Sequence, residues 1–309
     1  MRTFLLKLLI FALLVAGGFA LLLRWHPKAE DNQYVKVLAD KEARLLATPP
    51  PRLLLVGGSN LAFGVDSAAV ERALGRPALN LAVTMEFGRE FILHHAAAHA
   101  RDGDIVVLSL EYYGFTGASP EAYALAPALE AAPGAWRHLD WPQWKALLDG
   151  GLVHLGHLAR TSLAHARGYY VPFTGTYRRD AFTAHGDMIS HHGLPGKRIA
   201  HRPLLLSETA LRRSLDDIAA FVARCKAQGA TVYFELPPWP ENWVQAQPEI
   251  LARTYAGLRA VPHLTVLNTP AGVALPGDAF YDTEYHLTQT GAALRTERLI
   301  QALSAARAQ

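Results

Sequence analysis

Residues 52–66 read Arg-Leu-Leu-Leu-Val-Gly-Gly-Ser-Asn-Leu-Ala-Phe-Gly-Val-Asp. The apolar run at residues 52–56 is typical of a buried central strand. It ends at Gly57-Gly58, and Ser59 follows directly. A serine that follows a strand in this way lies at the carboxyl edge of the sheet, where open α/β folds bind ligands. An ordinary Gly-Gly-Ser turn is the alternative interpretation, because these residue types are also common in turns.

Further apolar runs of strand length follow along the chain, separated by helical patterns. They are Ala78 to Val83, Asp104 to Leu110, Thr231 to Leu236 and Leu264 to Leu267. Strands that alternate with helices predict a mostly parallel five-stranded sheet inside a three-layer α/β/α sandwich. The chain has neither a Gly-x-Gly-x-x-Gly after its first strand nor a Gly-Lys-Ser/Thr P-loop. Dinucleotide and nucleoside triphosphate binding are therefore disfavoured.

The chain divides into three predicted segments. Residues 52–309 predict one α/β domain, with residues 115–206 as a helical and loop-rich insertion over the top of the sheet. Residues 26–51 are polar and then proline-rich, which predicts a linker. Residues 1–25 predict a transmembrane anchor.

The anchor is inferred from the apolar character of the N-terminal residues. Arg2 and Lys7 precede an uncharged run at residues 8–23, close to the roughly 20 residues that a spanning helix needs. A cleaved signal peptide is the alternative, because small residues at suitable spacing occur at residues 16–20. The run stays apolar beyond them, which favours an uncleaved anchor. Basic residues flank both ends of the run, so their charge fixes the orientation only weakly, but with either alternative we expect the rest of the chain to be exported.

Charge and cysteine content exclude other classes. The net charge is +3 and the basic residues are scattered, which argues against nucleic acid as a partner. Cys225 is the one cysteine in the sequence, so no internal disulfide can form. Its place in an amphipathic helical pattern predicts a buried structural thiol.

A nucleophilic serine needs a base, and His286 is the best candidate. It lies in the loop between the last predicted strand and the last helix, so it belongs to the same sheet edge as Ser59. Asp282, four residues earlier, would orient the imidazole, and Glu284 is a nearer alternative. Together these residues fit the Ser–His–carboxylate arrangement of acyl transfer. A turn-capping Asp282 and a surface His286 remain the structural alternative.

Other histidine and aromatic groups give weaker indications. The histidines occur as His94-His95, as His154 with His157 and His165, and as His191-His192. Such spacings on helices are more typical of packing or of a surface than of a metal site, so no metal is predicted. Several aromatic residues could stack on a sugar or pack in the core. They are Tyr169, Tyr170, Tyr177, Trp239 and Trp243.

Two blocks of the sequence resemble a known family. Gly-Gly-Ser-Asn at residues 57–60 and Asp-x-x-x-His-Leu at residues 282–287 are similar to the first and last blocks of the SGNH/GDSL hydrolases. The string at residues 58–66 and Asn80-Leu81-Ala82 look typical of its membrane-anchored envelope branch. That branch includes proteins of alginate O-acetylation and of teichoic acid D-alanylation. The resemblance covers roughly residues 50–115 and 207–305.

The resemblance implies a flavodoxin-like sandwich with Ser59 as nucleophile, His286 as base and Asp282 as orienting carboxylate. The family's aspartate lies three residues before the histidine, or two in the alginate branch, whereas here the interval is four. For the oxyanion hole it implies the Ser59 backbone N–H together with side-chain or backbone donors. The candidates for these donors are Gly88, Asn80 and Asn60.

The second strand-end block departs from the family pattern. After the strand at residues 104–110 the chain has Glu111-Tyr112, where the family has Gly-x-Asn-Asp. We expect Glu111 and Tyr112, together with Trp239 after a later strand, to contact substrate. An ionised carboxylate cannot donate to an oxyanion, so Glu111 does not replace the family's asparagine unless it is protonated.

The resemblance implies a membrane-anchored serine esterase or O-acyltransferase that moves an acyl group, such as acetyl, to or from a cell-envelope polysaccharide. The scheme needs no cofactor, and a membrane-bound O-acyltransferase is the implied partner. An esterase that only removes acyl groups is one alternative. A non-catalytic glycan-binding or assembly subunit with a degenerate site is the other, and the missing Gly-x-Asn-Asp favours it.

Overall fold

A five-stranded parallel sheet forms the centre of the protein. The computed structural model describes residues 2–25, 32–117, 119–169, 174–197, 199–200 and 203–308. The strands are β1 (Leu53–Gly57), β2 (Ala78–Asn80), β3 (Ile105–Ser109), β4 (Thr231–Phe234), β5 (Trp239–Pro240), β6 (Thr265–Val266) and β7 (Ala274–Leu275). The main sheet has the order β2–β1–β3–β4–β6, and β5 pairs with β7 in a separate parallel pair. The predicted α/β class and mostly parallel sheet are confirmed.

Helices fill the connections between the strands. They are α1 (Arg2–Trp25), α2 (Leu38–Ala47), α3 (Ser59–Ala62), α4 (Ser67–Leu74), α5 (Arg89–His99), α6 (Ala122–Ala131), α7 (Trp141–Ala166), α8 (Glu208–Ala227), α9 (Glu241–Ala246), α10 (Pro248–Arg259) and α11 (Gln289–Arg307).

The apolar run of β1 is buried on both of its faces. Leu54 and Val56 belong to one core cluster, whereas Leu53 and Leu55 belong to another. Helices α5 and α8 contribute to the first cluster, and α4 and α11 contribute to the second. Since successive strand residues point to opposite faces, an uninterrupted apolar strand requires helices on both sides of the sheet.

The strand order brings β1 and β3 together at the point where the chain changes direction across the sheet. From β1 the chain moves outward to β2 and then returns to β3 on the other side of β1. The crevice at the carboxyl ends of two such strands is the usual ligand site of a doubly wound sheet. Ser59 follows β1 and Glu111 follows β3, so both residues lie at this crevice.

The N-terminal residues form α1. Across the described parts of the chain, no helix combines the length and the apolar character that crossing a membrane requires.

The segment predicted as a linker at residues 26–51 is partly folded onto the domain. Residues 26–31 lie outside the described part. Tyr34–Val37 form a 3-10 helix that leads into α2, and Val37, Leu38 and Leu45 are buried in the first core cluster. Leu38 and Leu45 are seven residues apart, so they lie on one face of α2.

The insertion at residues 115–206 also packs on the domain. Leu125 and Leu129 of α6 are buried in the same core cluster as Leu54 and Val56 of β1. A 3-10 helix, Pro133–His138, joins α6 to α7. The insertion therefore contributes to the main core.

Candidate active site

Ser59, His286 and Asp282 form a continuous hydrogen-bonded chain. The Ser59 hydroxyl oxygen lies 2.8 Å from His286 Nε2, and His286 Nδ1 lies 2.8 Å from Asp282 Oδ1. Ser59 is partly exposed, whereas the His286 ring is buried. The structure thus brings together the three residues that the sequence predicted, with the serine open to solvent.

Two glycines allow the chain to turn from β1 into α3. A β-carbon on Gly57 would lie 2.1 Å from the carbonyl oxygen of Ser109 on β3. A β-carbon on Gly58 would lie 2.4 Å from Met85 Cγ and 2.7 Å from Glu111 Oε1. Any larger residue at these two positions would therefore push the turn that carries Ser59 away from β3 and from Glu111.

The His286 ring is fixed by its own loop and by Phe63. The His286 backbone N–H donates to Thr283 Oγ1 at 3.1 Å, and its carbonyl accepts from the Tyr281 N–H at 2.7 Å. The Phe63 ring stacks on the imidazole, with centroids 4.0 Å apart and planes 10° apart. The base is therefore held in one orientation, as a positioned proton acceptor needs.

Tyr177, from the insertion, joins the carboxylate end of this chain. Its hydroxyl donates to Asp282 Oδ2 at 2.7 Å and lies 3.0 Å from His286 Nδ1. Burial alone would raise the pKa of Asp282, but the hydrogen bond and charge of His286 and the Tyr177 hydrogen bond outweigh it and lower that pKa. Asp282 is thus an ionised partner for an imidazolium. The sequence placed Tyr177 only in an aromatic set, because nothing local relates it to residues 282–286.

Glu111 contacts the nucleophile itself. Its Oε1 accepts from the Ser59 hydroxyl at 3.0 Å and from the Asn60 backbone N–H at 2.9 Å. The residue is 2% exposed, and burial raises the pKa of its carboxyl, although the Asn60 N–H and the nearby His286 oppose that effect. The sequence predicted Glu111 as a substrate contact, whereas the structure places it against Ser59.

The three candidate oxyanion donors besides Ser59 are engaged elsewhere. The Asn80 side-chain amide donates to the Leu61 carbonyl at 3.0 Å and to Asp187 at 2.8 Å, so both of its N–H groups are used. The Asn60 amide donates to Ser109 Oγ at 3.1 Å. The Gly88 N–H donates to the Met85 carbonyl at 2.9 Å. The Ser59 N–H opens α3, where a helix supplies no internal acceptor.

Tyr112 and Trp239 are core residues rather than substrate contacts. The Tyr112 hydroxyl donates to the Pro237 carbonyl at 2.9 Å. Its ring lies 4.6 Å from that of Trp239, which is 0% exposed. Trp243 packs against Trp239 and is also buried. Aromatic residues after a strand suit a core as well as a ligand site, and here packing between the layers covers them. Tyr169 is exposed, and Tyr170 lies outside the described residues.

No family model matches this sequence, and no curated protein matches it. The interpretation of the site therefore depends on its own geometry.

A buried ion pair packs against the turn that carries Ser59. Arg295 of α11 lies against Glu235, with the closest N–O distance at 2.6 Å. The same guanidinium donates to the Asn60 carbonyl at 2.6 Å and to Ser109 Oγ at 2.9 Å. Each of the three guanidinium nitrogens thus has an acceptor, as a buried charge requires. Helix α11 thereby fixes the position of the residue after the nucleophile.

The histidines that the sequence singled out have protein partners, and one of them, His191, lies beside the site, with its ring 4.9 Å from the Phe63 ring that stacks on His286. His154 bonds to Glu130 at 2.6 Å, His191 bonds to the Leu287 carbonyl at 2.9 Å, and His94 lies 3.4 Å from Asp140. A histidine set that the sequence did not single out comes together elsewhere. Its members are His95, His99 and His138.

Proposed function

We propose that the protein is a serine esterase or O-acyltransferase that forms an acyl-enzyme on Ser59. The observation that carries this proposal is the hydrogen-bonded chain from Ser59 Oγ through His286 to Asp282, in which both donor–acceptor distances are 2.8 Å. Acyl transfer needs this order of groups, because a serine hydroxyl is a weak nucleophile until an adjacent base takes its proton.

In the first half-reaction Ser59 Oγ attacks the carbonyl carbon of an ester while His286 Nε2 accepts the serine proton. Asp282 keeps the other ring nitrogen protonated and stabilises the imidazolium. The tetrahedral intermediate then expels the alcohol, which takes the proton from Nε2 and leaves the acyl group on Ser59. In the second half-reaction water or a glycan hydroxyl gives its proton to His286 Nε2 and attacks the acyl carbon. The bond between that carbon and Ser59 Oγ then breaks, and His286 returns the proton to Ser59 Oγ.

In the proposed mechanism the reactivity of Ser59 depends on whether Glu111 is protonated. An ionised carboxylate only accepts hydrogen bonds and competes with His286 for the Ser59 proton, whereas a neutral carboxyl has a proton to donate. Burial favours the neutral form of Glu111. A neutral Glu111 leaves the serine proton to His286 and can itself stabilise a developing oxyanion next to the Ser59 N–H.

The substrate and the location belong to the same proposal and rest on the sequence resemblance. The proposed substrate is an acylated cell-envelope polysaccharide. The proposed location of the SGNH/GDSL-type domain is the periplasm, at the inner membrane, and the proposed partner is a membrane-bound O-acyltransferase. Esterase and transferase differ only in whether water or a sugar hydroxyl reaches the acyl-enzyme.

The contact between Glu111 and Ser59 also favours a second candidate function. If Glu111 is ionised in the working protein, it holds the serine proton in its own hydrogen bond, and the Ser59–His286–Asp282 chain does not work as a triad. The protein would then be a glycan-binding or assembly subunit of a polysaccharide acylation complex.

Covalent labelling by a fluorophosphonate separates these functions. We expect the purified full chain to be labelled once, Ser59→Ala to lose the label, and the exposed Ser304→Ala control to keep it. A wild-type protein that takes no label across the pH range would support the binding subunit, and a label that persists in Ser59→Ala would refute the assignment of the nucleophile. Acetate release from an acetyl ester, compared with acetyl transfer to an oligosaccharide, then distinguishes esterase from transferase.

A further inference from the structure

We propose that His95, His99, His138 and Glu42 form a binding site for one zinc ion. One ring nitrogen from each histidine lies within 4.8 Å of the others. His95 Nε2 also lies 3.0 Å from Glu42 Oε1. Three imidazoles and one carboxylate are a donor set that Zn²⁺ takes in four-coordinate sites.

Three separate parts of the chain supply these ligands. His95 and His99 are four residues apart on α5, so they lie on the same face of that helix. His138 ends the 3-10 helix of the insertion, and Glu42 comes from α2. The ring centroids are 5.1 Å apart for His95 and His99, 5.2 Å for His95 and His138, and 5.8 Å for His99 and His138.

The geometry needs only small side-chain movements to close around an ion. Zinc–ligand bonds of about 2.0–2.1 Å in a tetrahedron place the ligand atoms roughly 3.3 Å apart. The three ring nitrogens, which lie within 4.8 Å of one another, need to approach by on the order of 1 Å. Glu42 Oε1, 3.0 Å from His95 Nε2, would turn towards the ion as the fourth ligand. His99 is half-buried, so an ion can reach the cluster from solvent.

The protonation states of the cluster suit a cation. Burial and the neighbouring histidines lower the pKa of His99 and of His138 to about 4, so both rings are neutral at physiological pH. Burial alone would raise the pKa of Glu42, but the hydrogen bond from His95 and the nearby histidines outweigh it and lower that pKa. Neutral imidazoles and an ionised carboxylate are the forms that bind zinc.

The cluster lies at the opposite edge of the sheet from Ser59. The Arg52 guanidinium donates to the His99 carbonyl at 2.8 Å, and Arg52 directly precedes β1, whereas Ser59 comes after its far end. The five residues of β1, at roughly 3.3 Å each, separate the two places by about 17 Å. An ion there cannot polarise an acyl group on Ser59. It would instead tie α2, α5 and the insertion together.

Cobalt provides a direct probe of this site. Tag-free full-length protein is stripped with a chelator and titrated with Co²⁺, whose tetrahedral complexes absorb strongly in the visible. We expect one equivalent of Co²⁺ to give these bands and Zn²⁺ to abolish them by displacement. The double variant His99→Ala/His138→Ala should show no bands. The matched control His157→Ala/His165→Ala removes two exposed histidines of α7 and should behave like the wild type.

Thermal unfolding gives a second readout. A ligand that binds only the folded state raises the Tm, so Zn²⁺ should raise the Tm of the wild type and of the control but not of the double variant. If the double variant does not fold, the single variant His99→Gln serves instead, and it should bind Co²⁺ at least tenfold more weakly. A wild type that takes up no tetrahedral Co²⁺, or a cluster variant that binds like the wild type, would overturn the zinc site.

Discussion

The hydroxyl oxygen of Ser59 lies 3.0 Å from Oε1 of Glu111. Glu111 follows β3, and β3 pairs with β1, the strand that precedes Ser59. The serine has a single proton and two acceptors within reach, Glu111 Oε1 and His286 Nε2. In the proposed mechanism the serine proton passes to His286, so the charge of Glu111 would control how readily Ser59 reacts.

We expect Glu111→Gln to preserve labelling of Ser59 by a fluorophosphonate and to remove the decline in labelling that ionisation of Glu111 would cause in the wild type as the pH rises above 4.5. The amide keeps an acceptor for the Asn60 N–H but cannot ionise, so it never takes the serine proton. The second-order labelling rate of both proteins against pH tests this. Labelling that is slower in Glu111→Gln by more than about tenfold, or 1.4 kcal/mol in activation free energy, at every pH would contradict it.

The same substitution should change the pH dependence of stability. A carboxyl whose pKa is raised on folding binds more protons in the folded state, so its favourable contribution is complete below the ordinary pKa of 4.5 and is lost as the pH rises through the folded value. The wild type should therefore lose free energy of unfolding relative to Glu111→Gln as the pH rises above 4.5. Urea denaturation of both proteins at acidic and alkaline pH measures the difference, and a constant difference would refute it.

Removing the two partners of His286 Nδ1 should give graded effects. Asp282→Asn loses the charge that stabilises the imidazolium and should lower turnover of an ester by about 10⁴-fold. Tyr177→Phe removes one hydrogen bond to a charged group, about 1.5–3 kcal/mol, and should cost about 10- to 100-fold. The exposed Tyr169→Phe is the control. Equal losses of ester turnover in Asp282→Asn and Tyr177→Phe would contradict the larger role given to the charge of Asp282.

Arg295→Met should destabilise the protein by about 3–5 kcal/mol, because it leaves the buried carboxylate of Glu235 without its counter-charge. The double variant Arg295→Met/Glu235→Met removes both charges and should recover much of this loss. Arg298→Met, on an exposed part of α11, is the matched control. Urea denaturation gives the values, and a double variant that is less stable than Arg295→Met would contradict the explanation.

Gly58→Ala should slow labelling of Ser59 without unfolding the protein. Gly58 has φ −93°, which alanine adopts freely, so the effect comes from contact of the new methyl group with Met85 and Glu111. Gly272→Ala, where a β-carbon meets no atom within 4 Å, is the control. A labelling rate in Gly58→Ala equal to that of the control would show that the site tolerates the added methyl group.

The sequence predicted the strands and the Ser59, His286 and Asp282 chain because both depend on local patterns. Uniformly apolar runs identify buried parallel strands, and the carboxyl ends of such strands share one edge. Tyr177 could not be found in this way, since its partners lie 105 and 109 residues away. Tyr112 and Trp239 were misplaced because an aromatic residue after a strand fits either a core or a ligand site. The proposed zinc ligands His95 and His99 have helical spacing, but the third histidine of the cluster, His138, comes from the insertion.

The contact between Arg295 and the Asn60 carbonyl makes the position of Ser59 depend on α11. During synthesis Ser59 is made 227 residues before its proposed base, His286, and also before Arg295. A nascent or truncated chain that ends before residue 286 therefore carries an inert serine. On the proposed mechanism, reactivity towards acyl groups would arise only when α11 docks, so acquisition of a fluorophosphonate label would report the completion of folding.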